Sequence, residues 1–303
     1  SGATTITLGL NYRSHSEILS LADKVIRVND ERLDKTLVAA AGPGGHIHLE
    51  RVGDRCDEAE SIFSHLRADL VQSPADAPYP FTVPEGSWAV LARNKRHLDD
   101  VEGELRQHGV QCIRPLGDSI WNRAPFVQLL ATLKAIQTAD LPAIDTMIHF
   151  AVSSAHGNGA AEIALEILHK GLGSSFTKII DGVHPPLKSL LVADEAKTLE
   201  EFIKQVVAWR RDAADGLYSD VVTLVTGWIS RCCTEPETAE LVVKLGDWIS
   251  GLRGSIGQRV RFVEDASRSQ DDQTGFGVVL TTMHASKGLE FDNVWLIRCN
   301  DGV

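Results

Sequence analysis

Asn11, Tyr12, Arg13 and Ser14 form a tetrapeptide whose side chains are suited to binding a nucleotide. The planar guanidinium of Arg13 can reach a terminal phosphate and neutralise charge that develops there during phosphoryl transfer. Tyr12 offers a flat apolar ring on which a base can stack. The plainer alternatives are a solvated arginine at the start of a helix and a tyrosine buried in the core.

The surrounding sequence predicts a strand, a turn and a helix. Residues 6–8 have the pattern of a short strand, and Ser14 with Glu17 three residues on predicts a capping box that starts a helix just after Ser14. Apolar side chains then recur at helical spacing, at Ile18, Ala22, Val25 and Ile26. Because free N–H groups at a helix N-terminus attract anions, this setting fits a loop that faces phosphate.

A second segment, residues 279–294, carries polar side chains between two predicted strands, 278–281 and 293–297. It reads Val-Leu-Thr-Thr-Met-His-Ala-Ser-Lys-Gly-Leu-Glu-Phe-Asp-Asn-Val, and we expect the chain to pass from a strand through a turn into a helix. Thr282 and His284 follow the first strand directly. Ligands of open α/β sheets collect at the carboxyl ends of the strands, so these two residues are binding candidates.

Together the two segments resemble motifs IV and V of the UvrD/PcrA/Rep-type superfamily-one DNA helicases, in the family's order. Thr-x-His-x-x-Lys-Gly-Leu-Glu-Phe is the more specific motif. The apolar strand Trp88–Ala92, followed by Arg93, a helix and Gly109, is similar to the strand and helix between these motifs. The resemblance implies a RecA-like fold and an ATP-dependent DNA helicase as the parent protein.

The resemblance also implies a nucleotide site. Tyr12 would stack on adenine, and Arg13 would contact the γ-phosphate and serve as the catalytic residue. Gly288 and Glu290 belong to the Lys-Gly-Leu-Glu stretch, whose glutamate in the family hydrogen-bonds the ATP ribose. A plain carboxylate at a strand edge is the alternative for Glu290.

A single-stranded DNA surface is implied for three further residues, Arg93, Thr282 and His284. Lys95 stands two residues after Arg93, where the family often has asparagine, and this favours a phosphate contact over a base contact there. Outside its motif, His284 would be read as an ordinary polar residue.

The predicted fold class is α/β, with a RecA-like parallel sheet that has helices on both faces and is interrupted by an all-α inserted subdomain. Strands and helices alternate over residues 1–138, including a strand predicted at 47–52. Strand signals disappear over 139–272, where amphipathic helices such as 193–211 replace them. They return over 273–303. Four tryptophans at helical spacing are predicted to lie in the core: Trp121, Trp209, Trp228 and Trp248.

The composition is that of a folded globular protein, with 303 residues, 43% hydrophobic and 23% charged. A net charge of −11 argues against a polybasic nucleic-acid binder, although a local groove can still hold a few nucleotides. The first residues lack the pattern of a signal peptide, and no apolar run is long enough for a membrane span. Five cysteines without a Cys-x-x-Cys pair favour a reduced, cytoplasmic protein without a zinc or other metal site.

Two ATPase elements are missing from the sequence. It contains no Gly-x-x-x-x-Gly-Lys-[Ser/Thr] P-loop and no apolar strand ending in the Asp-Glu pair that would hold Mg²⁺. We therefore expect the second motor half of a longer helicase, truncated before motif VI and inactive alone. Its partners would be single- or double-stranded DNA and the missing N-terminal P-loop domain, not a membrane.

In the full-length parent the nucleotide would be ATP with Mg²⁺, and no cofactor is expected on this chain alone. Two alternatives remain open. The parent could be an AddA/RecB-like helicase–nuclease that shares both motifs, or this chain could be a non-catalytic DNA-binding or scaffold protein.

Overall fold

The structure, a computed structural model, describes residues 9–29, 36–73, 79–115, 120–268 and 276–300. By its internal contacts the chain divides into two compact units, Ser1–Asp54 and Arg55–Val303.

The first unit contains two short parallel strands and one helix. Strand β1 (Leu10–Asn11) pairs with β2 (Val38–Ala39), and helix α1 (Ser16–Ile26) lies between them in sequence. The helix predicted from apolar spacing is confirmed. The strand predicted at 6–8 lies outside the described residues.

The strand predicted at 47–52 is wrong. These residues are irregular, and the side chain of Leu49 is 91% exposed. The alternation of apolar and polar side chains predicted a half-buried strand. A strand also needs a neighbouring ladder, and no such pairing forms for this segment within the described part of the chain.

The second unit contains the parallel sheet that the alternating pattern predicted. Its short antiparallel pair, β3 (Val71–Gln72) with β4 (Phe81–Thr82), is separate from that sheet. The four sheet strands run parallel in the order β6-β7-β5-β8. They are β5 (Trp88–Ala92), β6 (Cys112–Ile113), β7 (Val278–Thr282) and β8 (Asn293–Leu296). The mixed α/β class is therefore confirmed, and it is consistent with a RecA-like helicase domain.

Two helices bury one face of this sheet. The apolar run of β5 lies at its centre, and Trp88, Val90 and Ala92 belong to one core. Helix α2 (Arg55–Leu66) and helix α3 (Asp99–Gln107) contribute apolar side chains at helical spacing to the same core. Gly109, at φ +72°, follows α3 where a left-handed residue ends a helix.

The remaining helices build a second core. They are α4 (Phe126–Thr138), α5 (Leu141–His156), α6 (Asn158–Leu172), α7 (Ala193–Ala214), α8 (Tyr218–Arg231), α9 (Pro236–Gly251) and α10 (Ile256–Arg268). No strand occurs over 139–268, the described part of the range 139–272 for which none was predicted. Trp121, Trp209 and Trp248 are buried in this core and Trp228 packs against it, which confirms their structural role. The predicted domain boundaries at 138/139 and 272/273 stay predictions, and residue 272 lies outside the described residues.

All five cysteines are free thiols. Burial raises the pKa of Cys112 to about 12 and that of Cys233 to about 11. Within the described ranges no helix has the length and apolar character to cross a membrane.

Candidate functional site

The turn that carries Tyr12 and Arg13 is shaped by the side chain of Asn11. Its Oδ1 accepts hydrogen bonds from the backbone N–H of Arg13 at 3.0 Å and of Ser14 at 2.9 Å. This is an Asx turn, in which a short polar side chain replaces a backbone acceptor. It leaves Tyr12 78% exposed and Arg13 exposed. Tyr12 is therefore not buried in a core of the first unit, as the plainer alternative had it.

The capping box predicted for Ser14 and Glu17 is wrong. Helix α1 begins at Ser16 with His15 as N-cap, and no side chain caps its end. The Glu17 carboxylate instead accepts the N–H of Gly45 at 3.0 Å and of Gly44 at 3.2 Å. Backbone N–H groups, first its own and then that of Gly45, hold the pKa of Glu17 below its ordinary value. The Glu17 carboxylate therefore binds the backbone of a loop distant in sequence, whereas the local pattern assigned it to the N-terminus of the helix.

In the second unit, the strand register brings two candidate residues side by side. Ala92, the last residue of β5, pairs with Thr282, the last residue of β7, and the Met283 N–H donates to the Ala92 carbonyl at 3.0 Å. Arg93 is the next residue after Ala92 and is exposed. The backbones at Arg93 and Thr282 are therefore neighbours at the carboxyl edge of the sheet.

A buried arginine forms hydrogen bonds with the segment that follows β5. Arg114 donates from Nη2 to the Asp99 carboxylate at 2.8 Å and to the Lys95 carbonyl at 3.4 Å. Asp99 also accepts from Arg123 at 2.5 Å. A buried guanidinium that bonds both a carboxylate and a carbonyl fixes this short stretch, and with it the backbone next to Arg93.

Residues 283–288 form consecutive turns, so the helix expected after Thr282 is wrong. The Thr282 Oγ1 accepts from the Ala285 N–H at 3.2 Å, and the Thr282 carbonyl accepts from the Ser286 N–H at 2.9 Å. Gly288 has φ +94°, a left-handed conformation that interrupts a helix. His284, within these turns, and Glu290, two residues after Gly288, are both exposed.

The candidates fall into two groups by unit. Tyr12 and Arg13 lie in the first unit. Arg93, Thr282, His284, Gly288 and Glu290 lie in the second. The predicted grouping of Tyr12 and Arg13 with Glu290 around one nucleotide stays a prediction.

Residues 6–158, half of the chain, match the model of the UvrD-like helicase C-terminal domain. The chain belongs to the UvrD-like helicase family. Within the UvrD-like domain match lie Tyr12, Arg13 and Arg93, whereas Thr282 and Glu290 follow it in sequence.

Relatives of this UvrD-like chain align with nearly all of it. It is 24% identical to the ATP-dependent DNA helicase PcrA of Leuconostoc citreum, across 99% of this chain and 41% of that protein. It is 24% identical to the ATP-dependent DNA helicase Rep of Escherichia coli K12, across 98% of the chain and 46% of Rep. DNA helicase II of the same organism is 23% identical, across 100% and 43%. The chain spans less than half the length of these relatives.

Sequence reasoning missed the structural roles of three residues that shape the candidate segments: Asn11 and Glu17 in the first unit and Arg114 in the second. Asn11 carries a local signal, because asparagine commonly accepts the N–H groups two and three residues on. Glu17 and Arg114 carry none. Their partners lie 27 residues away for Glu17 and 15 and 19 residues away for Arg114, and only the fold brings them together.

Proposed function

We propose that this chain is the second motor half of an ATP-dependent DNA helicase. The observation that carries the proposal is the strand register, with Arg93 beside Thr282 at the carboxyl edge of a parallel sheet. In a member of the UvrD-like family, that edge is suited to binding DNA. The names of PcrA and Rep, ATP-dependent DNA helicases, support the same activity.

The proposed DNA surface consists of hydrogen-bond donors. Arg93 offers a charged guanidinium and His284 an imidazole, both exposed. The Thr282 hydroxyl accepts from Ala285 and keeps its proton to donate to a phosphate oxygen. Exposed Arg96 and Lys287, on the segments that carry these residues, add positive charge. Such donors bind the backbone of single-stranded DNA without reading its sequence.

We propose that Tyr12, Arg13, Gly288 and Glu290 contribute to ATP binding. The exposed ring of Tyr12 is suited to stacking on adenine, and the Glu290 carboxylate is suited to accepting ribose hydroxyls. Arg13 would neutralise the charge that grows on the γ-phosphate as its bond to the β-phosphate oxygen breaks. The P-loop lysine and the Mg²⁺ carboxylates would come from an N-terminal half.

The test of the DNA surface is Arg93→Ala in the full-length parent protein. We expect weaker binding of single-stranded oligonucleotides at every salt concentration. The slope of log K against log salt should become shallower by about one, since one phosphate contact is lost. Glu60→Ala is the control for loss of an exposed charge, because Glu60 is exposed on α2 and belongs to neither of the segments that carry Arg93, Thr282 and His284. Unchanged affinity and an unchanged slope for Arg93→Ala would contradict the proposed surface.

A further inference from the structure

Residues 38–45 hold the Tyr12–Arg13 turn on both sides. Before the turn, the Ala40 N–H donates to the Asn11 carbonyl at 2.8 Å. After it, the Gly42 carbonyl accepts the Ser16 N–H at 3.0 Å. Glu17 then accepts the N–H groups of Gly44 and Gly45. The turn is therefore enclosed by hydrogen bonds to a single strand-and-loop segment, all within the first unit.

The loop lies too close to the helix start to accept side chains. A Cβ on Gly45 would approach the His15 Cβ to 3.0 Å, and a Cβ on Gly44 would approach the His15 ring to 3.2 Å. Gly44 also has φ +140°, which L-residues rarely adopt. Close approach lets both N–H groups reach one carboxylate. Glu17 is the side chain that closes this contact.

We propose that Glu17 is a positioning residue for Arg13. By binding the Gly44–Gly45 backbone it fixes the first turn of α1, and the first turn of α1 fixes where the Arg13 backbone points. Arginine is long, so a small rotation of its backbone becomes a large displacement of the guanidinium. This inference rests on the proposed function, in which Arg13 acts on the γ-phosphate.

The experiment compares Glu17→Ala and Glu17→Gln in the full-length parent protein with saturating single-stranded DNA. A displacement of about 1 Å at a catalytic group can cost about a hundredfold in rate. We expect kcat of Glu17→Ala to fall roughly ten- to a hundredfold, with little change in KM for ATP or in DNA affinity. Glu17→Gln should lose less, because its amide oxygen still accepts one N–H.

A double-mutant cycle separates positioning from general destabilisation. If Glu17 acts through Arg13, Glu17→Ala should cause no further loss of kcat in an Arg13→Ala background. Independent, multiplying losses would overturn the proposal, as would normal kcat in Glu17→Ala. Glu60→Ala serves as the carboxylate control, and thermal unfolding of each variant checks folding. Gly44→Ala attacks the same contact from the loop side and should reproduce the loss of kcat.

The same set of variants tests the catalytic role of Arg13 separately from the positioning role of Glu17. Arg13→Ala with normal turnover would refute the catalytic role of Arg13, and with it the proposed nucleotide site. Arg13→Ala with impaired turnover, beside Glu17→Ala with normal turnover, would refute only the positioning role of Glu17.

Discussion

At the scale of single residues, Arg13 carries the sharpest prediction. Arg13→Ala in the full-length parent should depress ATP turnover by about a thousandfold or more, the effect expected of an arginine that stabilises the charge of phosphoryl transfer. DNA affinity should change little, since the turn that carries Arg13 lies in the first unit and the proposed DNA surface in the second. Steady-state ATPase rates and oligonucleotide titrations measure the two quantities separately.

Arg27→Ala is the matched control for that substitution. Arg27 ends the same helix and forms an exposed ion pair with Asp23 at 2.7 Å, so its loss should leave turnover unchanged. An Arg13→Ala protein that keeps near-normal turnover and loses DNA affinity would reverse the assignment of Arg13.

The sequence was sufficient to choose candidate residues and insufficient to say what positions them. Tyr12 and Arg13 stand out because of their chemistry and their place before an amphipathic helix. The two side-chain acceptors that shape their turn differ from each other in how far along the chain their partners lie. Asn11 acts locally, whereas Glu17 acts on glycines of another loop, and the local pattern assigned it to a capping box. Side chains that bond across the fold leave no periodic signal in the sequence.

At the scale of elements, the apolar pattern of the sequence predicted helices and strands correctly where a core buries their apolar side chains. Helix α7 and strand β5 follow their apolar patterns because each has a core to face. The segment 47–52 has a strand pattern as well, but it has no paired neighbour among the residues that the structure describes, and Leu49 is exposed. The helix expected after Thr282 fails for a local reason, because Gly288 adopts a left-handed conformation at the end of the turn.

The contact between α8 and α9 gives a prediction for this scale. A Cβ on Gly246 of α9 would lie 2.2 Å from the Thr226 Cγ2 and 2.7 Å from the Thr226 Cβ on α8. Gly246→Ala should lower the free energy of unfolding by about 1–2 kcal/mol, because overpacking at so close a contact costs about 2–3 kcal/mol and outweighs the gain of about 1 kcal/mol in helix propensity. Denaturant unfolding of this chain measures the change.

Two further variants identify the cause of that change. Thr226→Ala in the Gly246→Ala background removes the Thr226 Cγ2 at 2.2 Å and Oγ1 at 2.3 Å from the new Cβ, and should recover part of the loss. Gly251→Ala makes the same substitution in the same helix, where the new methyl group would meet no other element of the described structure within 4 Å, and should cause no loss. Equal destabilisation by Gly246→Ala and Gly251→Ala would show that the close approach of α8 to α9 is not responsible.

At the scale of the whole molecule, an acidic chain carries a small group of basic side chains at the proposed DNA surface. The chain carries a net charge of −11. The segments that follow β5 and β7 nevertheless carry four basic side chains: Arg93, Arg96, His284 and Lys287. We therefore expect long-range attraction to contribute little to the proposed DNA binding, which a few local phosphate contacts would have to supply. Such a surface would suit the proposed motor, which would have to release the strand at every step.

The last prediction concerns catalysis by this chain alone. The sequence has no P-loop lysine to hold the β- and γ-phosphates and no Asp-Glu pair at the end of an apolar strand to hold Mg²⁺. In its proposed role Arg13 would stabilise charge that develops on the γ-phosphate, but it cannot replace the groups that bind and align the triphosphate for attack by water. The purified chain should therefore release no phosphate from ATP when single-stranded DNA and Mg²⁺ are added.

Phosphate release with and without a chelator of Mg²⁺ measures this directly, and the Arg13→Ala form of the chain shows whether any activity depends on Arg13. Activity that survives Arg13→Ala unchanged does not depend on the proposed catalytic arginine. Activity that disappears both with Arg13→Ala and with the chelator would belong to this chain. It would mean that the chain contains a complete ATP site, which contradicts its proposed place as one half of a motor.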